Sequence, residues 1–254
     1  MGRKLTGDPE LHDAPGRMRS PYDAIARLYD HWSRSVTEDI PFYVAEARFA
    51  DGPVVELGTG TGRIAVPIAR RRIPVIGVDG SAGMLEVCRA RARAEGVLDL
   101  LDLRLGDLRE PPVQDRVGLV LCPFRTYLHL RTADDRRRAL AAAWELLRPC
   151  GRLVFDVFAP AADDIEETHG RWLEREPGIW ERADWDEVSR TFTLRVRGET
   201  GEAEMQLAWA PPAEWRSLLL NAGFEIVAHL GWFDRRPYSG GEDSIWIAQR
   251  PANA

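Results

Sequence analysis

Five short apolar runs, at residues 54–57, 74–78, 101–105, 117–122 and 153–158, are interleaved with helical patterns at 63–72, 84–95 and 133–148. Strands that alternate with helices must lie parallel, because each helix carries the chain back to the same end of the sheet. The order predicts an α/β fold with helices on both faces of the sheet. A helix at 213–221, stopped by Gly223, and two further strands at 224–232 and 244–250 extend the core. Ahead of it, Tyr22, Ile25, Leu28, Tyr29 and Trp32 fall three and four residues apart, one face of a helix. A second helix over 37–49 carries Pro41 in its first turn, and Gly52-Pro53 breaks the chain.

Between residues 161 and 212 the pattern changes. An acidic stretch at 161–167 is followed by short alternating runs from 179 to 210, with a hairpin of 191–197 and 202–209 turning at 198–201. Pro211-Pro212 ends this β-rich insertion. The expected division is a flexible tail at 1–19, a helical segment at 20–50, a core of 51–160 and 213–254, and a cap at 161–212. The 254 residues accommodate one core of this size plus the cap.

Composition narrows the function classes. The net charge is −6, so the Arg clusters 70–72 and 136–138 read as solvated helix faces rather than a nucleic-acid surface. The chain has no apolar run long enough to span a bilayer, and its polar N-terminus lacks the apolar stretch of a secretion signal. Cys88, Cys122 and Cys150 form neither a CxxC nor a metal-ligand pattern, so no metal is expected and a reducing cytoplasm is the default location.

Glu56-Leu57-Gly58-Thr59-Gly60-Thr61-Gly62 joins the first strand to a helix. Glycines there let the backbone turn tightly and approach a ligand, and the helix N-terminus offers unpaired N–H groups to an anion. The Gly-x-Gly-x-Gly spacing differs from the Gly-x-Gly-x-x-Gly of dinucleotide binders, which favours a carboxylate over a pyrophosphate. Glu56 can accept hydrogen bonds from an ammonium group. Asp79 ends the second strand, where a carboxylate can hold two ribose hydroxyls, and Asp107 ends the third, where it can meet an adenine amino group. Each feature alone is also an ordinary tight turn or helix cap, with Asp79 or Ser81 as the cap. Their order in one alternating chain points to a nucleoside with an amino-acid tail.

These motifs resemble those of the class I S-adenosylmethionine-dependent methyltransferases. Residues 56–62 look like the first motif, and Ile76-Gly77-Val78-Asp79-Gly80-Ser81 like the second, with Met84 against the adenine. Gly106-Asp107-Leu108 looks like the adenine-side motif; residues 119–124, with Cys122 and Phe124, look like the segment beside the transferred methyl. Residues 146–153 resemble the turn before the fifth strand, although family members usually have Gly where Cys150 stands. Tyr22-Asp23-Ala24-Ile25-Ala26-Arg27-Leu28-Tyr29-Asp30 is similar to a segment that folds over the cofactor. The resemblance implies a Rossmann-like seven-stranded sheet whose last strand is antiparallel. It also implies an N-terminal helical lid at 20–50 and S-adenosylmethionine as cofactor, with S-adenosylhomocysteine as product. The cofactor set it implies is Tyr29, Glu56, Gly58, Thr59, Gly60, Gly62, Arg63, Asp79, Gly80, Ser81, Met84, Gly106, Asp107, Leu108, Cys122 and Phe124.

Methyl transfer from a sulfonium is a direct displacement with a neutral leaving group, so it rests mainly on proximity and orientation. A base is needed only for an acceptor that arrives protonated. His129, after the fourth strand, is the candidate base or a residue that fixes the loop. Tyr29 excludes water as a lid residue or belongs to a packed amphipathic helix. Tyr127 positions substrate or lies in the core. Arg125 binds a substrate carboxylate or pairs at the surface. Cys122 reads as a buried thiol rather than a nucleophile. Tyr22 and Trp32 are candidate substrate walls, as are the cap aromatics Trp172, Trp180, Trp185, Phe192 and Trp209, with Trp180 and Trp209 foremost; the cap tryptophans equally suit a small core or a homodimer face. The expectation is a small-molecule N- or O-methyltransferase, similar to glycine and amino-sugar N-methyltransferases, with no nucleic-acid or membrane partner. The alternatives are a nicotinamide-dependent oxidoreductase and a non-catalytic nucleoside-binding partner protein.

Overall fold

The computed structural model describes residues 20–253; the expected tail at 1–19 lies outside the described residues. A 3-10 turn, Pro21–Ala24, precedes helices α1 (Tyr29–Trp32) and α2 (Asp39–Ala47). The core follows as β1 (Val54–Leu57), α3 (Ala65–Ala69), β2 (Val75–Asp79), α4 (Ala82–Ala94), β3 (Leu101–Leu105), β4 (Val117–Cys122), α5 (Ala133–Leu146) and β5 (Leu147–Phe158). Next come α6 (Ala162–Thr168) and strands β6 (Trp172–Glu176), β7 (Ile179–Asp186), β8 (Thr191–Gly198) and β9 (Gly201–Ala208). The chain closes with α7 (Pro212–Asn221), β10 (Glu225–Leu230) and β11 (Asp243–Gln249).

The main sheet has seven strands in the order β10-β11-β5-β4-β1-β2-β3. β3, β2, β1, β4 and β5 run parallel, whereas β11 is antiparallel to both neighbours. The expected sheet, antiparallel last strand included, is therefore present. Successive side chains of a strand serve opposite faces. Val54 packs with α2 and α3 on one face, and Val55 with α5 and α7 on the other. All of β1 is buried, as a strand covered on both faces requires. Ser81 caps α4 by accepting from the Met84 N–H, and Thr132 caps α5 by accepting from the Asp135 N–H. Among the described residues no helix is long and apolar enough to cross a membrane.

Three segments depart from the sequence expectation. The first helix is instead the 3-10 turn and one turn of α1, since a spacing of three suits a 3-10 turn as well. Ile25 and Leu28 are buried as expected, but against the core through these short turns. The insertion contains the expected hairpin as β8–β9, but β6 and β7 extend it into a four-stranded antiparallel sheet, β6-β7-β8-β9. Its Phe192, Val196, Met205 and Leu207 join the same apolar cluster as α5 and β5. Finally, β5 begins before residue 153, with Leu147 paired to Val117, and a tight turn interrupts it.

Cys150 sits in that turn with φ +63° and an exposed side chain. Its N–H still donates to the Arg250 carbonyl at 2.9 Å. A left-handed conformation costs a non-glycine residue about 1–2 kcal/mol, part of which glycine recovers. Cys150→Gly should therefore raise the melting temperature by about 1–3 °C, whereas Cys150→Ala should not. Calorimetry of the two variants checks this, and equal melting temperatures would mean the turn carries no strain.

Candidate functional site

The strand order reverses between β1 and β4, where a parallel sheet opens a crevice beyond its carboxyl ends. A cavity of about 270 Å³ lies there. Gly58 and Gly60 line it, at φ +74° and +56°. A Cβ on Gly58 would collide with Thr126, while one on Gly60 would meet nothing within 4 Å, so the loop backbone itself faces the cavity. Asp79 lies beneath it: Oδ2 accepts from the Gly60 N–H and Oδ1 from the Ser81 N–H, both at 2.8 Å. Burial pushes its carboxyl up to about 6 despite these bonds.

Gly80, Met84, Gly106, Asp107 and Leu108 line the rest of this cavity, with Tyr29 and Phe124 at its other end. Arg109, which sequence reasoning missed, closes the Asp107 end. Its Nε and Nη2 reach the Asp107 carboxylate at 3.0 and 2.6 Å, and Nη1 reaches Asp135 at 2.6 Å. The Arg109 guanidinium holds the Asp107 carboxyl below its ordinary range. Only the short spacing Asp107-x-Arg109 hinted at the pair.

Glu56, Thr59, Gly62, Arg63, Ser81 and Cys122 do not line this cavity. The Glu56 carboxylate, expected to face an ammonium group, is buried under the loop, and its Oε2 has no hydrogen-bond partner among the described residues. Cys122 is fully buried, and burial raises its thiol far above the ordinary range, which removes it as a nucleophile.

Three carboxylates of the N-terminal segment fasten it over the cavity. Asp23 accepts from Ser81 Oγ at 2.6 Å and from the Gly83 N–H at 2.9 Å. Asp30 accepts from Thr61 Oγ1 at 2.6 Å and pairs with Arg91. Asp39 takes the fork of Arg63, whose guanidinium lies 4.3 Å from the Phe124 ring centre. Arg63 and Ser81 thus serve the segment.

A second cavity, of about 560 Å³, lies between this segment, the sheet edge and the cap. Tyr22, Tyr29, Phe124 and His129 line both cavities and form the neck between them. Tyr22 Oη lies 3.1 Å from His129 Nε2. Burial lowers the His129 imidazole to about 4 and raises both tyrosine hydroxyls. Trp32, Phe158, Trp185, Phe192 and Trp232 wall the second cavity, with Asp164, Glu181, Glu242, Asp243, Arg125 and Arg175 among its charged groups. Arg125 pairs with Asp243, and Arg175 with Glu181.

Tyr127, Trp180 and Trp209 line neither cavity. On β7 the lining residues are Glu181, Ala183 and Trp185, so the two-residue period puts Trp180 on the opposite face. Trp209 packs behind Trp185, with ring centres 5.6 Å apart. Tyr127 is fully buried and stacks on Trp215 at 5.7 Å. The wall residues Trp185 and Phe192 face each other across β7 and β8, a register the sequence pattern alone does not phase.

Burial raises the Glu56 carboxyl to about 8. An acid with a raised folded-state pKa stabilises the fold while protonated, so that contribution is complete below its unfolded value and is lost as pH rises through about 8. Between about pH 6.5 and 8.5, above the Asp79 range, the unfolding free energy should fall in the wild type and fall less in Glu56→Gln. Urea titrations across that window check this; equal slopes would show that Glu56 is already ionised.

A family described as "Methyltransferase domain" matches residues 54–151. A putative methyltransferase of Geobacillus sp. (strain WCH70) is 30% identical over 235 residues, covering 87% of this chain and 93% of the relative. Among solved structures, the methyltransferase CcbJ of Streptomyces caelestis superposes with a TM-score of 0.81 at 27% identity, covering 92% of this chain and 99% of that one. The amino pentose methyltransferase CalS10 of Micromonospora echinaspora, solved with S-adenosylmethionine bound, has the same fold, with a TM-score of 0.62 at 20% identity over 94% of this chain and 100% of that one. With the glycine loop and the strand-end acids on one crevice, these relationships place the chain among the class I S-adenosylmethionine-dependent methyltransferases, enzymes whose methyl donor is S-adenosylmethionine.

Proposed function

We propose that the chain methylates a nitrogen of a small, amine-bearing molecule held in the second cavity. The observation that carries this reading is the neck: four side chains are shared between a nucleoside-sized cavity and an aromatic, acid-rich one. Arg125 and Arg175 answer Asp243 and Glu181, and Asp39 and Asp156 are held from behind. Asp164 and Glu242 remain on this cavity without a guanidinium among the described residues, which suits a cationic group against aromatic walls. CalS10 is an amino pentose methyltransferase, which agrees with such an acceptor. In this reading 161–212 is the substrate cap, 20–50 the lid, and 51–160 with 213–254 the cofactor-binding core.

The residues of the first cavity fit the cofactor. The Gly60 backbone, where a Cβ would meet nothing within 4 Å, receives the amino-acid end, with Gly58 beside it packed against Thr126. Asp79 takes the ribose hydroxyls, Met84 and Leu108 pack on the adenine, and Asp107, oriented by Arg109, meets its edge. S-adenosylmethionine, when bound, supplies an electrophilic methyl whose departure leaves a neutral thioether. The chain's own contribution is then orientation and exclusion of water. Tyr22 and Tyr29 cover the neck, and Phe124 forms its far wall. An imidazole with a pKa of about 4 is a weak proton acceptor at neutral pH. His129 therefore serves to hold the Tyr22 hydroxyl, and the acceptor amine passes its proton to water or to a lining carboxylate such as Glu242 before it enters the neck as the neutral nucleophile.

Calorimetry should show binding of S-adenosylhomocysteine and none of NAD. Asp79→Ala should weaken that binding by about 1–3 kcal/mol, roughly 5- to 150-fold. Unchanged affinity would remove Asp79 from the ribose site. With labelled S-adenosylmethionine and a metabolite extract, the label should appear in basic products that partition into acid. Label confined to neutral products would overturn the nitrogen assignment.

A further inference from the structure

Phe124 and Arg125, directly after the fourth core strand, hold consecutive left-handed conformations at φ +56° and +58°. Neither is a glycine or an asparagine, the residues that adopt this region most readily. Two such residues in a row persist only where their surroundings over-determine them. Their N–H groups point the same way and form a small concavity of the kind that attracts an anion. That concavity is filled from within. Asp156, near the end of β5 and only 6% exposed, accepts from the Phe124 N–H through Oδ1 at 2.8 Å and from the Arg125 N–H through Oδ2 at 2.9 Å. Tyr43 of α2, itself fully buried, donates its hydroxyl to the same Oδ1 at 2.5 Å.

The loop so held supplies two of the four neck side chains. Phe124 forms one wall, and the chain continues through Thr126, which abuts Gly58, to His129. Arg125 is turned the other way, its guanidinium 4.4 Å from the Phe158 ring centre and paired with Asp243. Release of the left-handed pair would swing Phe124 out of the neck and change the mouth of both cavities together.

We propose that Asp156 is a positioning residue for methyl transfer: its buried carboxylate clamps the Phe124–Arg125 backbone and so fixes the Phe124 ring between donor and acceptor cavities. The proposal rests on the reading of the neck as the transfer point. Asp156 acts through Phe124 and touches no reacting atom. Burial raises its carboxyl to about 6, the cost of holding an anion there, and the three donors offset part of that cost. Asn in its place keeps one acceptor but turns an NH₂ donor toward a second N–H, so one arm of the clamp is lost while volume is conserved.

The test compares the wild type, Asp156→Asn, Arg125→Gly and the double variant. Two readouts are taken, amide exchange at residues 124 and 125 and affinity for S-adenosylhomocysteine. Asp156→Asn should speed exchange by at least about tenfold at the amide that loses its acceptor, with β1 and α4 unchanged. It should weaken S-adenosylhomocysteine by roughly three- to tenfold. In the Arg125→Gly background, where glycine accepts the left-handed conformation freely, the added Asn should cost less than about twofold. Tyr43→Phe, which removes a hydrogen bond from the same carboxylate but leaves both arms of the clamp, should show neither effect. Unchanged exchange in Asp156→Asn, or an equal loss of affinity in both backgrounds, would overturn the proposal. If Asp156→Asn alone does not fold, recovery of a folded, ligand-binding double variant supports the clamp, and continued failure overturns it. Exchange needs neither ligand nor acceptor, so a wild type that failed to bind S-adenosylhomocysteine would sink the cofactor assignment and leave the clamp decided separately.

Discussion

The Asp79 carboxylate is the tie on which the rest of the site depends. One oxygen holds the loop after β1 and the other holds the turn into α4. Ser81, ordered by that second bond, caps α4 with its hydroxyl oxygen and donates its hydroxyl hydrogen to Asp23. The relay from Gly60 through Asp79 and Ser81 to Asp23 therefore joins the sheet edge, a helix start and the N-terminal segment in one hydrogen-bonded path. Each member leans on the one before it. The carboxylate can play this part because backbone N–H groups replace water around it; burial still raises its pKa, so the tie is held at some cost in desolvation.

The carboxylates around the two cavities fall into two electrostatic kinds. Asp107 faces a guanidinium and its pKa drops. Asp79, Asp156 and Glu56 are buried, and desolvation raises their pKa values even though backbone and hydroxyl donors serve the first two. The first kind trims an edge of the crevice, where the pair remains partly exposed and its strength modest. The second kind lies under the glycine loop and behind the neck, where a misplaced proton or a lost donor is felt by the backbone. A site assembled this way concentrates its strain and its desolvated charge where the two cavities adjoin, as functional sites commonly do.

Much of this was legible in the sequence, and the reasons differ by element. The five parallel strands and the glycine loop could be read because a strand buried on both faces must be continuously apolar, and because strand ends in such a sheet converge. The N-terminal turns could not, since residues three apart serve a 3-10 turn and an α-helix alike. The cap strands were visible but their phase was not: a shift of one residue exchanges Trp180 for Trp185 at the cavity wall. Glu56 could be placed at the end of the first strand, but its burial could not be read there. Asp156 and Asp39 gave no local signal at all. Their partners lie 32 and 24 residues away in the chain, and only the folded sheet brings them together.

The N-terminal segment touches both cavities and the cap. Its carboxylates grip the donor side, Trp32 donates its indole N–H to Glu181 of the cap at 2.9 Å, and Tyr22 and Tyr29 belong to both cavities. With donor and acceptor in the two cavities as proposed, they share one ordered element and share the free energy of ordering it. Whatever part of that free energy the first ligand supplies, the second is spared, and thermodynamic linkage makes the effect mutual. A tighter grip on the cofactor in the presence of acceptor must be mirrored by the same factor in the acceptor's own affinity. Selectivity for one ligand is thus inseparable, in this architecture, from the occupancy of the other.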